Sequence, residues 1–139
     1  MKSVKSLLFC ISLFASAITM AETAVIVSAS NANSTIDKAT IAKIFLGKSK
    51  SFPDGSAATP IDQNEGSAAR DSFNSAVLGK SASQLKSYWS RLIFTGKGTP
   101  PKQSGNDADV KAMVAGNAKL IGYIDASAVD ESVKVVHKF

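Results

Sequence analysis

The chemistry in this sequence is concentrated in residues 59–73, Thr-Pro-Ile-Asp-Gln-Asn-Glu-Gly-Ser-Ala-Ala-Arg-Asp-Ser-Phe. An extended run over 58–62 gives way to Gln63, Asn64 and Glu65, and Gly66 turns the chain. Ser67 then opens a segment whose apolar positions Ala69, Phe73, Ala76 and Val77 share one helical face. A Ser at such a junction caps the helix, and the first-turn N–H groups of Ala68, Ala69 and Arg70 have no helical acceptor. A helix start also carries about half a positive charge, so the arrangement attracts anions. Arg70 adds a guanidinium that can hold an oxyanion with two parallel bonds, provided it points back toward the helix start. The same residues also read as a plain capped helix with Arg70 paired to a neighbouring acid such as Asp71. Both readings stay open at this level.

Other matches fail on their mechanics. Glu65-Gly-Ser67 continues into Ala68-Ala69, without the second Gly of a nucleophile elbow, and no Ser-His-Asp order follows, so a hydrolase is not expected. Ser83 and Lys86 fit a Ser-x-x-Lys pattern but lack its partner motifs. Gly96-Lys97 is followed by Gly98 rather than a hydroxyl residue, which excludes a nucleotide phosphate loop. His137 is the single histidine and Cys10 the single cysteine, too few for a metal centre. Asn106, Asp107 and Asp109 read as helix caps rather than ligands of a hard cation. The chain is therefore read as a binding protein, not an enzyme, with no cofactor and no metal.

The elements that must position the loop follow from periodicity and punctuation. Ala24-Val-Ile-Val27 is a buried strand, and 34–46 is a helix in which Asp37 can cap, Ile41, Ile44 and Phe45 share a face, and Gly47 ends the run. A loop around Pro53-Asp-Gly55 leads to the strand over 58–62. After the Ser67 helix and Gly79, Ser81-Ala-Ser-Gln84 is a capping box for a third helix. Its stripe of Leu85, Tyr88, Trp89, Leu92 and Ile93 reads as core. Three Gly and two Pro make 95–105 a loop. A fourth helix carries Val110, Met113 and Val114 up to Gly116, and two strands close the chain at 120–124 and 133–139. Strands interleaved with helices predict one α/β domain around a small sheet of four or five strands, with helices on both faces.

Composition sets the compartment. Lys2 and Lys5, an apolar run over 7–18 and Thr19-Met-Ala21 read as an export signal over 1–21, leaving 22–139 as a single domain. The apolar run is shorter than the roughly 20 residues that span a bilayer, and Phe9 before Cys10 does not fit a lipid-anchor site. Beyond residue 21 there is no cysteine, so neither a disulfide nor thiol chemistry is available. Taking Lys2 and Lys5 from sixteen basic residues leaves fourteen against eleven acidic ones. That scattered excess suits a small anion or a solvated surface, not nucleic acid.

The pieces also resemble, in order, the phosphate-binding proteins of periplasmic ABC importers over about 36–125. They are Ile41-Ala-Lys-Ile-Phe-Leu-Gly-Lys48, Pro60-Ile61, the Glu65-Gly-Ser67 loop, Trp89, Gly105-Asn-Asp-Ala-Asp-Val110 and Ile121-Gly-Tyr-Ile124. In that family the ligand loop reads Arg, two residues ending in an acid, Gly-Ser-Gly-Thr and often Arg. Glu65, Gly66, Ser67 and Arg70 match, whereas Gln63 stands in place of the leading Arg, and Ala68 and Ala69 in place of Gly and Thr. The resemblance implies a single open mixed-sheet α/β lobe of the type II periplasmic-binding-protein kind. It implies a site at Gln63, Glu65, Gly66, Ser67, Ala68, Ala69 and Arg70 for phosphate or a related oxyanion. It further implies a periplasmic location and an ABC permease or another periplasmic protein as partner, without membrane insertion. Family members close two lobes on the anion and this chain matches one, so a homodimer or a partner would supply the second wall. The alternative is an exported protein-interaction module that keeps the lobe's fold.

Overall fold

Six consecutive buried residues, Thr23–Ser28, form β1, and their unbroken burial places this strand inside the sheet with both faces covered. The computed structural model describes residues 22–139; the expected export signal over 1–21 lies outside the described residues. The other elements are α1 (Lys38–Phe45), β2 (Thr59–Asp62), α2 (Ala68–Phe73), α3 (Ala82–Phe94), β3 (Lys102–Gln103), α4 (Asp107–Ala115), β4 (Leu120–Asp125) and β5 (Val133–Lys138). The sheet runs β3-β2-β4-β1-β5. β2 pairs in parallel with β3 and β4, whereas β1 is antiparallel to β4 and to β5, so the sheet is mixed. This is the open α/β sheet that the sequence predicts.

Alternation along β1 divides the core in two. Val25 and Val27 face Ile41, Ile44 and Phe45 of α1 and Phe73 of α2, and Ala24 and Ile26 face Val110 and Val114 of α4. On the first face Phe73 stacks on Tyr123 of β4 with centroids 4.2 Å apart and planes within 7°, and Phe45 tilts against Phe73 at 4.5 Å. These rings pin the end of α2 to the sheet. On the second face α4 comes so close that a Cβ at Gly122 would lie 2.7 Å from Val110 Cγ1. Only a glycine fits there.

Several local expectations need correction. α1 starts at Lys38, with Asp37 in the N-cap position, four residues later than the expected boundary. α2 passes after Phe73 into a wider, π-type turn over Asn74–Leu78 before Gly79 ends it at φ 62°. Within the expected 95–105 loop, Lys102–Gln103 forms β3, a two-residue edge strand paired with β2. Pro100 and Pro101 hold the preceding chain extended, but two residues carry no alternation that a sequence could reveal.

The largest correction concerns α3. Its capping box forms as expected: Ser81 Oγ accepts from Gln84 N and Gln84 Oε1 from Ser81 N. Its apolar stripe, however, is not core. Only Leu85 is buried; Tyr88, Trp89 and Leu92 are half-buried, Ile93 is 54% exposed and Phe94 93% exposed. Tyr88 donates to the Leu46 carbonyl at 2.7 Å and Trp89 lies over Gly47, so α3 leans on the end of α1, and among the described residues no element covers Ile93 and Phe94.

Candidate functional site

The Gly66–Ser67 junction sits where parallel strand β2 ends and α2 begins. Gly66 takes φ 84°, a left-handed conformation that a side chain would strain, and this turns the chain into the helix. Ser67 is the N-cap: its backbone is extended and its Oγ accepts from Arg70 N at 3.0 Å. Asp71 N then bonds back to the Ser67 carbonyl at 3.1 Å. Among the described residues, the N–H groups of Gly66, Ala68 and Ala69 have no partner. Gly66 and Ala68 are exposed and Ala69 half-buried, so these donors are within reach of a ligand.

Gln63 sits beneath the loop, only 2% exposed. Its Oε1 accepts from Ser67 Oγ at 2.7 Å, and its Nε2 donates to Asp107 Oδ1 at 2.6 Å and to the Tyr123 carbonyl at 2.9 Å. Its backbone N–H reaches Tyr123 Oη at 3.3 Å. Gln63 thus ties β2, β4, α2 and α4 together and presents no free group to a ligand.

Arg70 is folded back against the same strand. Its Nη1 donates to the Gln63 carbonyl at 3.0 Å, and Nη2 stands 3.8 Å from Asp62 Oδ2. The acid beside Arg70 is Asp62, rather than the sequence neighbour Asp71. Tyr123 also donates its phenolic hydrogen to Asp62. Burial pushes the Asp62 carboxyl above the ordinary 3.8, opposed by the Tyr123 bond and the Arg70 charge. Burial first, and then the Asp62 charge, pushes the Tyr123 phenol far above its usual value.

Asp62, Tyr123 and Asp107 are members of this network that the loop motif alone does not mark. The signal for Tyr123 is the alternation in Ile121-Gly-Tyr-Ile124, which places a phenol on a buried face where it must find a partner. Asn106 caps α4 with Asp109, as the sequence suggests, while Asp107 accepts from Gln63 and from Asp125 N at 3.2 Å.

Beside the loop runs a groove of about 690 Å³. Asp62, Glu65, Gly66 and Arg70 line one wall; Leu85, Trp89 and Ile93 of α3 line the other, with Pro100 and Pro101 at one end. Of the residues with unpartnered amides Gly66 lines this groove, with Arg70, whereas Ala68 and Ala69 do not, and Glu65 and Asp62 stand beside them. Among the described residues no group of three or more His, Cys, Asp or Glu side chains could hold a metal ion.

No family model matches the sequence, and no match is found among curated proteins. Solved structures do match. A phosphate ABC transporter substrate-binding protein from Clostridium perfringens, solved with bound phosphate, superposes with a TM-score of 0.66 at 25% identity over 84% of this chain. An ABC-type phosphate transport receptor from Vibrio cholerae gives 0.65 at 19%, and PstS from Borrelia burgdorferi 0.60 at 14%, each again over 84% of this chain. The chain is similar to phosphate ABC transporter substrate-binding proteins. It spans 45–47% of the length of these three structures. The resemblance carried by the ordered sequence motifs is therefore also a resemblance of fold.

Proposed function

We propose that this chain acts as the ligand-loop lobe of a phosphate-type solute-binding protein. It takes phosphate or a related oxyanion at the start of α2, in the periplasm, on behalf of an ABC permease. The observation that carries this reading is the row of unpartnered amides at Gly66, Ala68 and Ala69 beside the Ser67 cap. It is supported by the fold shared with a neighbour solved with bound phosphate. Arg70 would give up its long contact to Asp62 and swing toward the anion; its bond to the Gln63 carbonyl leaves the other guanidinium nitrogens available.

The open groove and its carboxylates set the strength. Charge-assisted bonds lose much of their worth to solvent screening on an open surface, and association has its own ordering cost. Net binding of about 4 kcal/mol corresponds to a dissociation constant of about 1 mM. Calorimetric titration with phosphate and sulfate at low ionic strength tests this: saturable heat near that concentration, fading as salt rises, is expected. No saturation well above it removes the oxyanion site.

A second reading, an exported protein-interaction module, is favoured by one observation. Ser67 Oγ is occupied on both sides by Gln63 and Arg70, while the apolar end of α3 stands uncovered.

A further inference from the structure

We propose that a second copy of this chain docks on the exposed end of α3 and closes the groove beside the Ser67 loop, so that the working unit is an isologous dimer. Phe94 at 93% and Ile93 at 54% are the exposed large apolar side chains of the described residues, and they sit side by side. Ile93 also lines the groove that Glu65, Gly66 and Arg70 line from the other side. The uncovered apolar end of α3 thus reaches the candidate binding site through Ile93. Contiguous apolar surface of this kind marks an interaction site.

Charge selects the occupant. From Lys80 to Lys102 the chain carries Lys80, Lys86, Arg91, Lys97 and Lys102 and no acid, whereas 62–71 carries Asp62, Glu65 and Asp71 against the single cation Arg70. Of these cations Lys86 lines the groove from the α3 side, opposite Asp62, Glu65 and Asp71 with Arg70, so the two walls have opposite sign. A two-fold axis sets the same patch against itself, with residue i meeting residue j and j meeting i. It would lay the basic α3 of one copy over the acidic loop of the other, and do so twice. Apolar Ile93 and Phe94 would fill the centre of the contact and the charges its rim. In such a dimer the partner's basic helix adds its charge over the open side of the groove, beside the wall that this chain's own α3 already forms. This inference extends the oxyanion reading by supplying its second wall, but its test does not use the anion.

The test is sedimentation velocity on the purified protein, without phosphate, from micromolar to millimolar concentration. The expected result is a mass of twice the chain that dissociates on dilution. Ile93→Asp with Phe94→Asp should raise the dimer dissociation constant by about tenfold or more, with the far-ultraviolet dichroism and melting temperature of the monomer kept, because neither side chain is in the core. Lys86→Glu tests the contact independently: it should weaken the dimer, and adding Glu65→Lys in the same chain should restore it. A protein that stays monomeric at millimolar concentration overturns the proposal. So does a dimer whose mass is indifferent to both the Ile93/Phe94 and the Lys86 substitutions. A dimer that ignores phosphate would leave this inference standing while removing the oxyanion reading, so the two fail separately.

Discussion

Ser67 Oγ donates to Gln63 Oε1 at 2.7 Å, and this bond fixes the helix cap to the sheet beneath it. The hydroxyl is positioned from below by Gln63 and satisfies Arg70 N from its other side, so the free backbone donors next to it are held in one geometry. A buried amide is working here as the foundation of a surface loop.

Gln63→Ala therefore removes the partner of Ser67 Oγ, of Asp107 and of the Tyr123 carbonyl at once. Leaving such groups short of a partner in a buried site should cost about 3 kcal/mol. Urea unfolding of the two proteins measures it; a loss within error of zero would show that the amide is not needed there.

Arg70→Ala deletes the one cation of the loop wall and with it the phosphate binding proposed above. Calorimetric heats should fall to the dilution baseline while the fold persists, since Arg70 lies outside the apolar core. Undiminished heats would place the anion elsewhere on the surface.

Asp62 predicts a pH dependence of stability. Its carboxyl is raised above 3.8 by burial, so the native state holds that proton to higher pH than the unfolded chain does. Over the interval between the two values, unfolding free energy from this group falls as pH rises, and above it the loss is complete. Asp62→Asn removes the titration while Oδ1 can still accept from Tyr123. Relative to the parent, the variant should thus gain stability as pH rises through that interval and keep the gain at neutrality. Melting curves at a series of pH values decide it, and a gain confined to acid pH would reverse the sign argued here.

Gly122→Ala tests the close approach of α4. The added methyl would meet Val110 Cγ1 at 2.7 Å and Ile61 Cγ1 at 3.3 Å, an overpacking that should cost about 1–3 kcal/mol. Val110→Ala in the same chain makes room, so the pair should be less harmful than the sum of the two single changes. Strict additivity in denaturant unfolding would mean that the contact is not the cause.

What was legible in the sequence was local. The caps at Ser67, Ser81 and Asn106 depend on residues three apart, and each forms with the side chain that the sequence names. The strands Ala24-Val-Ile-Val27 and Leu120-Ile-Gly-Tyr-Ile124 are short apolar runs and appear as such. The helical stripe of α3 shows what periodicity leaves out: it says that Trp89, Leu92 and Ile93 want cover, without saying whether the cover lies in the same chain. The tie between Tyr123 and Asp62 joins residues 61 apart, and no spacing rule anticipates it.

The position of β1 bears on when this fold can exist at all. Its two neighbours are β4 and β5, so this interior strand is paired entirely with segments made about a hundred residues later. Until those segments are available, β1 has both edges bare and the apolar side chains of Ala24, Val25, Ile26 and Val27 lack their sheet neighbours. Loop-closure entropy over that separation opposes early pairing, and nonlocal pairing of this kind favours slow folding. For a polypeptide exported as proposed, delay is useful: a core that assembles last leaves the chain threadable during its passage and lets the native state form on the far side of the membrane.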